Sequence, residues 1–238
     1  MTTTLITGAN KGLGKETARL LVEAGHTVWL AARDEPRGRA AADEVGARFV
    51  RLDVTDDASV AAAFATIAEA GTGVDVVVNN AGIAKRGGGG SRQEALDGPS
   101  VLEVFDTNAV GIVRVTEAAL PLLERSPNPV VVNVSSALGS FWAVHEPSRP
   151  ASRFVSIAYG SSKAAVSMLT VQYARAYPGI KVNAVEPGIT ATELGGGDPG
   201  SHPGRPAAES ARVVAALACI GPDGPTGTFQ EDVGELGW

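Results

Sequence analysis

The chain is poor in the groups from which several function classes are built. It has one cysteine, Cys219, in 238 residues. That count excludes an internal disulfide and any clustered thiolate ligands, so no metal is expected, and Cys219 itself is expected in the core. No apolar run approaches the length of a membrane span. The first residues, Met1 to Thr7, lack a charged stretch followed by a long apolar one, so no secretory signal is visible and a cytoplasmic location is expected. Lys and Arg number 20 against 26 Asp and Glu, a formal charge of −6, and no basic tract occurs. Nucleic acid and anionic membrane surfaces are therefore poor partners.

What is present is a packed, repetitive α/β pattern. Hydrophobic residues make up 44% of the chain, enough for one large domain with a sizeable core or for two small ones; residues 1–238 read as one. Strand-like segments at 2–7, 26–32, 48–52, 74–78, 129–134, 180–185 and 226–229 alternate with helical ones at 15–23, 34–45, 57–70, 101–123, 159–177 and 207–219. The expected fold is α/β: a single doubly wound Rossmann-fold domain with a mainly parallel central sheet of about seven strands flanked by helices. The tail 231–238 is expected near the surface.

The first strand runs into Gly8-Ala-Asn10-Lys11-Gly12-Leu13-Gly14 and then a helix. Glycines let backbone approach a ligand closely, and the N–H groups and dipole of a helix N-terminus attract a pyrophosphate. The second strand ends in Ala32 and Arg33. An acidic side chain there would bind a ribose 2′-hydroxyl, whereas a cation accommodates a 2′-phosphate. Arg33, with Lys11 in the glycine turn, favours NADP(H), although Asp34 is adjacent. Asp53, followed by Val54 at the third strand's exit, is an acceptor for the adenine amino group or else a turn-forming residue.

The stretch around which the chemistry centres is Ala158-Tyr159-Gly-Ser-Ser-Lys163, opening a long helical pattern. Positions i and i+4 share a helix face, so the Lys163 ammonium lies near the Tyr159 phenol. A nearby positive charge favours phenolate, and it is expected to move the titration down from about 10 toward working pH. Such a tyrosine exchanges a proton with an alcohol or carbonyl oxygen. The fifth strand delivers Ser135 and Ser136 to the carboxyl end of the sheet, and nothing in the residues alone separates the two.

These motifs together resemble the short-chain dehydrogenase/reductase family. The glycine turn is its looser Gly-x-x-x-Gly-x-Gly variant, and Asn79-Asn80-Ala81-Gly82 after the fourth strand is its hallmark. With Asn108, Ser136, the Tyr159/Lys163 pair and Pro187-Gly188, the motifs appear in family order across nearly the whole chain. The start looks most like the carbonyl-reductase-like NADPH branch. The resemblance implies hydride transfer between nicotinamide and a carbonyl or alcohol substrate, with Tyr159 as acid/base. Ser136 would bind the substrate oxygen, Lys163 the ribose, and Asn108 a proton-relay water. Backbone around Ile189 would meet the carboxamide, and Thr192 the cofactor.

The separation of Ser136 from Tyr159 is wider than in compact members. Residues 137–158, with Phe141, Trp142, His145 and Phe154, are expected to form a wall or lid over the substrate; residues 190–206 are expected to be a substrate flap, and 85–90 a loop without chemistry. The family also implies a homodimer or homotetramer through the helices at 101–123 and 159–177, where Ala109, Val113, Ala164, Val166 and Met168 lie. Against it, members with an insertion before the tyrosine are often monomers. Two competing readings are an NADP(H)-binding regulator without turnover, which would need a broken active site, and a sugar-nucleotide epimerase, for which the stretch after Thr192 leaves little room.

Overall fold

In β1 (Thr3–Thr7) every residue is buried, and Leu5 and Ile6 belong to two different apolar layers. Successive side chains of a strand point to opposite faces, so a strand buried along its whole length must be covered on both. β4 (Val76–Asn79) and β5 (Val130–Val134) have the same all-buried character, and β2 (Thr27–Ala32) is buried after its first residue. The computed structural model describes residues 2–84, 96–194 and 204–238. The glycine run at 85–90 and residues 195–203 of the expected flap lie outside the described residues.

The connecting elements are α1 (Gly12–Glu23), α2 (Glu35–Val45), β3 (Arg48–Arg51) and α3 (Asp57–Glu69) before β4. After β4 come α4 (Gly98–Phe105), a π-helical segment Asp106–Val110 and α5 (Gly111–Leu123). β5 leads to a 3₁₀ turn Ala137–Gly139, α6 (Phe141–His145), a second 3₁₀ turn Pro150–Arg153, and α7 (Ile157–Ala176). The chain closes with β6 (Lys181–Val185), α8 (Ala207–Ala218), β7 (Phe229–Glu231) and β8 (Gly234–Glu235). The sheet order is β3-β2-β1-β4-β5-β6-β7-β8, parallel throughout except for the β7/β8 hairpin. Side chains of α3, α5 and α7 cover one face, and those of α1, α2 and α8 the other. Chain order reverses between β1 and β4, which opens a crevice at their carboxyl ends.

Two expectations are refined and two are corrected. The 101–123 pattern is not one uniform α-helix, because the π-helical segment interrupts it and buries Asn108 and Ala109; such bulges cluster at functional sites. The last parallel strand starts at Phe229 rather than 226, since Thr226 and Thr228 bond to Val182 and Asn183 through side chains in place of a regular ladder. The tail is largely exposed as expected, yet it adds β8 as an eighth strand and is anchored by Leu236, 1% exposed, and by the Trp238 ring, 5.4 Å from that of Phe229. Cys219 is exposed rather than in the core, sitting just past α8 with its Sγ 3.6 Å from His26 Nε2. Among the described residues no helix is long and apolar enough to cross a membrane, and no group of His, Cys, Asp or Glu is placed to hold a metal ion.

Candidate active site

The crevice is a cavity of about 1470 Å³. That exceeds the roughly 300–1,000 Å³ common for one small ligand, so it has room for two placed end to end. Every site residue named from the sequence lines it except Asn108.

At the chemical end, α7 presents Tyr159, half-buried, one turn before Lys163, which is 4% exposed. The Lys163 ammonium donates to the Val134 carbonyl at 2.7 Å, the end of β5, and lies 5.6 Å from the centre of the Tyr159 ring. The next turn of chain packs directly on this helix: a methyl group at Gly139 would come within 2.4 Å of the Lys163 backbone, so only glycine permits the approach. This contact separates the two serines. Both serines line the cavity, but Ser135 is 2% exposed and its hydroxyl bonds to the Lys163 carbonyl and the Ser167 hydroxyl, whereas the side chain of Ser136 hydrogen-bonds Tyr159. Asn108 is fully buried behind the wall, bonded to Ile83 N, Ile83 O and the Ser162 hydroxyl. Gly82 lies between it and Lys163 Nζ.

The electrostatics correct one expectation. The phenol of Tyr159 is raised above its ordinary value, not lowered: burial strips it of water, and the Glu186 carboxylate disfavours phenolate more than the Ser136 hydrogen bond helps it. Lys163 is pushed down to about 8 by burial, with Glu186 opposing. At neutral pH the phenol therefore holds its proton.

At the other end the arrangement fits a dinucleotide. Gly8 and Gly12 have φ of 62° and 54°, left-handed values that suit glycine. A methyl group at Gly12 would lie 3.2 Å from Thr192 Cγ2 across the cleft. The first turn of α1 carries neither a capping side chain nor an acidic residue, so its N–H groups are open to an anion, while α2, α3 and α4 are capped by Asp34, Asp56 and Asp97. Asp53 lines the cavity with its Oδ1 engaged by Thr55 N and Oγ1. Arg33 is exposed on the rim and makes no ion pair among the described residues. Lys11 also lines the cavity, and its Nζ pairs with Glu193 at 2.5 Å across the mouth. Both partners are about half exposed, so the pair is weak and open to exchange for a ligand.

Sequence reasoning passed over Arg37, Glu186, Arg149 and Arg205, all on the cavity wall. Arg37 lies one turn beyond Arg33, a spacing that could have found it. Glu186 receives hydrogen bonds from Ala137 N and, at 2.8 Å, from Gly188 N. Arg149 pairs with Glu231 at 2.5 Å and Arg205 with Asp232 at 2.5 Å, so the β7/β8 hairpin forms part of the wall. Of the four residues expected to wall the substrate, only Phe154 lines the cavity. Phe141 is 72% exposed, Trp142 lies under the Arg149 guanidinium, and His145 bonds the Phe141 carbonyl one turn back.

Residues 2–198 match the family model of short chain dehydrogenases. A short-chain dehydrogenase/reductase of Stachybotrys chlorohalonatus is 33% identical over 98% of this chain and 90% of its own. The (−)-isopiperitenone reductase of Mentha piperita is 31% identical over 94% of each. Among solved structures, the NADPH-bound carbonyl reductase from chicken fatty liver superposes with a TM-score of 0.82 at 27% identity, covering 100% of this chain and 99% of that one.

Proposed function

The chain belongs to the short-chain dehydrogenases, and on that premise we propose that it transfers a hydride between NADP(H) and the carbonyl or alcohol carbon of a small molecule, with Tyr159 as the acid/base. The observation that carries this reading is the single cavity wall on which Ser136, Tyr159 and Lys163 stand together, continuous with the glycine turn and the basic rim. Bound there, the nicotinamide supplies the hydride. Tyr159 delivers its proton to the substrate oxygen, Ser136 orients that oxygen, and Lys163 holds the cofactor ribose and stabilises the phenolate that forms. Lys11, Arg33 and Arg37 supply positive charge for the 2′-phosphate, and Asp53 accepts from the adenine. Asn108 braces the wall behind Lys163.

The reading is tested by a panel of aldehydes, ketones and quinones with NADPH, followed by loss of nicotinamide absorbance. At least one class is expected to be reduced. NADPH that binds tightly but is consumed with no member of a broad panel would favour the regulator reading instead.

We also propose a homodimer through α4 and α7. Leu102 and Met168 on these packed helices are 70% and 57% exposed, while Ala109 and Val166 face the chain's own core. Light scattering at micromolar concentration is expected to give twice the 24.2 kDa chain mass; a monomer mass would end the proposal.

A further inference from the structure

Glu186 has no part in the hydride-transfer scheme above, yet it joins two of the turns that scheme uses. Its two carboxylate oxygens accept from two different turns: Oε2 from Ala137 N, immediately after Ser136, and Oε1 from Gly188 N in the Pro187-Gly188 turn. One side chain thus spans the turn that carries the substrate-binding hydroxyl and the turn that lines the nicotinamide end. It is also a charge on the same wall as Tyr159 and Lys163.

We propose that Glu186 is a positioning residue that couples the Ser136 turn to the Pro187-Gly188 turn and acts as a fixed counter-charge on the Tyr159–Lys163 pair. This rests on the oxidoreductase reading of the same site. Burial raises the Glu186 carboxyl above the ordinary carboxylate range, and the two N–H donors, one to each oxygen, oppose that shift by favouring the ionised form. The titratable groups around it are Tyr159 and Lys163 on α7, Arg149 before the second 3₁₀ turn, and Glu231 on β7. Arg149 is engaged bidentately by Glu231, and the Glu231 charge outweighs the favourable field that Arg149 exerts on Glu186.

The sign of the effect follows. A carboxylate beside the phenol disfavours phenolate, so it keeps Tyr159 protonated to higher pH. Beside Lys163 it favours the ammonium. Both extend the alkaline range over which the site donates a proton, and therefore over which it reduces a carbonyl.

Three enzymes are compared: wild type, Glu186→Gln, which keeps shape and loses charge, and Glu186→Asp, which keeps charge. In kcat/KM for carbonyl reduction against pH, the alkaline limb of Glu186→Gln is expected to fall about one pH unit below that of wild type, a tenfold change in the protonation ratio. Glu186→Asp is expected to return the limb to the wild-type position. A limb unmoved in Glu186→Gln, even with lowered thermal stability, overturns the counter-charge. A second readout needs neither cofactor nor turnover, and survives if Glu186→Gln does not fold. The backbone amides of Ala137 and Gly188 in the wild-type apoprotein are expected to shift together in NMR with one common midpoint as Glu186 ionises, and independent behaviour of the two amides overturns the coupling. Absence of wild-type turnover with every carbonyl would sink the oxidoreductase reading while leaving this second test standing.

Discussion

Replacing Tyr159 by Phe is expected to lower turnover by about a thousandfold, in the middle of the roughly 10²–10⁴ range that a positioned general acid supplies. NADPH affinity is expected to change less than threefold. The reasoning lies in what the substitution leaves in place. Phenylalanine occupies the same half-buried volume, and Lys163 keeps its 2.7 Å bond to the Val134 carbonyl, which does not depend on the phenol. Ser136 loses its hydrogen-bond partner but stays in the turn fixed by Gly139 against α7. Only the proton donor is gone, so the loss belongs in kcat and kcat/KM together rather than in cofactor binding. Single-turnover kinetics alongside a nicotinamide fluorescence titration separate the two, and retention of more than a tenth of wild-type turnover would remove Tyr159 from its assigned role.

Reversing the charge of Arg33 is the second large effect. Arg33→Asp is expected to weaken NADPH by about 100-fold, near 3 kcal/mol, through loss of a charge-assisted hydrogen bond and its replacement by repulsion of the 2′-phosphate. NADH, which has a hydroxyl there, is expected to bind at least as well as before, because a carboxylate at this place accepts from the ribose. Asp34 does not already serve that purpose: its Oδ1 caps α2 by accepting from Arg37 N at 3.0 Å. Lys11→Ala is expected to cost less than Arg33→Asp, since Lys11 must first leave Glu193. Calorimetric titration of both dinucleotides against both variants checks the order. Wild-type protein that binds NADH as tightly as NADPH would show that the basic rim does not select.

The sequence by itself determined those features whose causes are neighbours along the chain. Alternating apolar strands and helical segments were legible because side-chain direction repeats every two residues in one and every 3.6 in the other. The glycine turn was legible because Gly8 and Gly12 stand where the backbone takes positive φ. The Tyr159/Lys163 pair was legible because one helical turn joins them. Tertiary structure alone decided what depends on segments far apart in the chain. It chose Ser136 over Ser135 by packing α7 against the turn after β5, so that Ser135 was spent on the Lys163 carbonyl. It tied Lys11 to Glu193, withdrew Trp142 and His145 from the wall, and brought β7 and β8 to the cavity through Glu231 and Asp232. It also reversed the expected titration of Tyr159, because local spacing fixes only the distance to Lys163. Burial and the field of Glu186, which stands just past the end of β6, outweigh that one helical neighbour. Dihedral preferences and periodicity act over a few residues, whereas desolvation and charge pairing are set by strand order, and that order exists only once the sheet has formed.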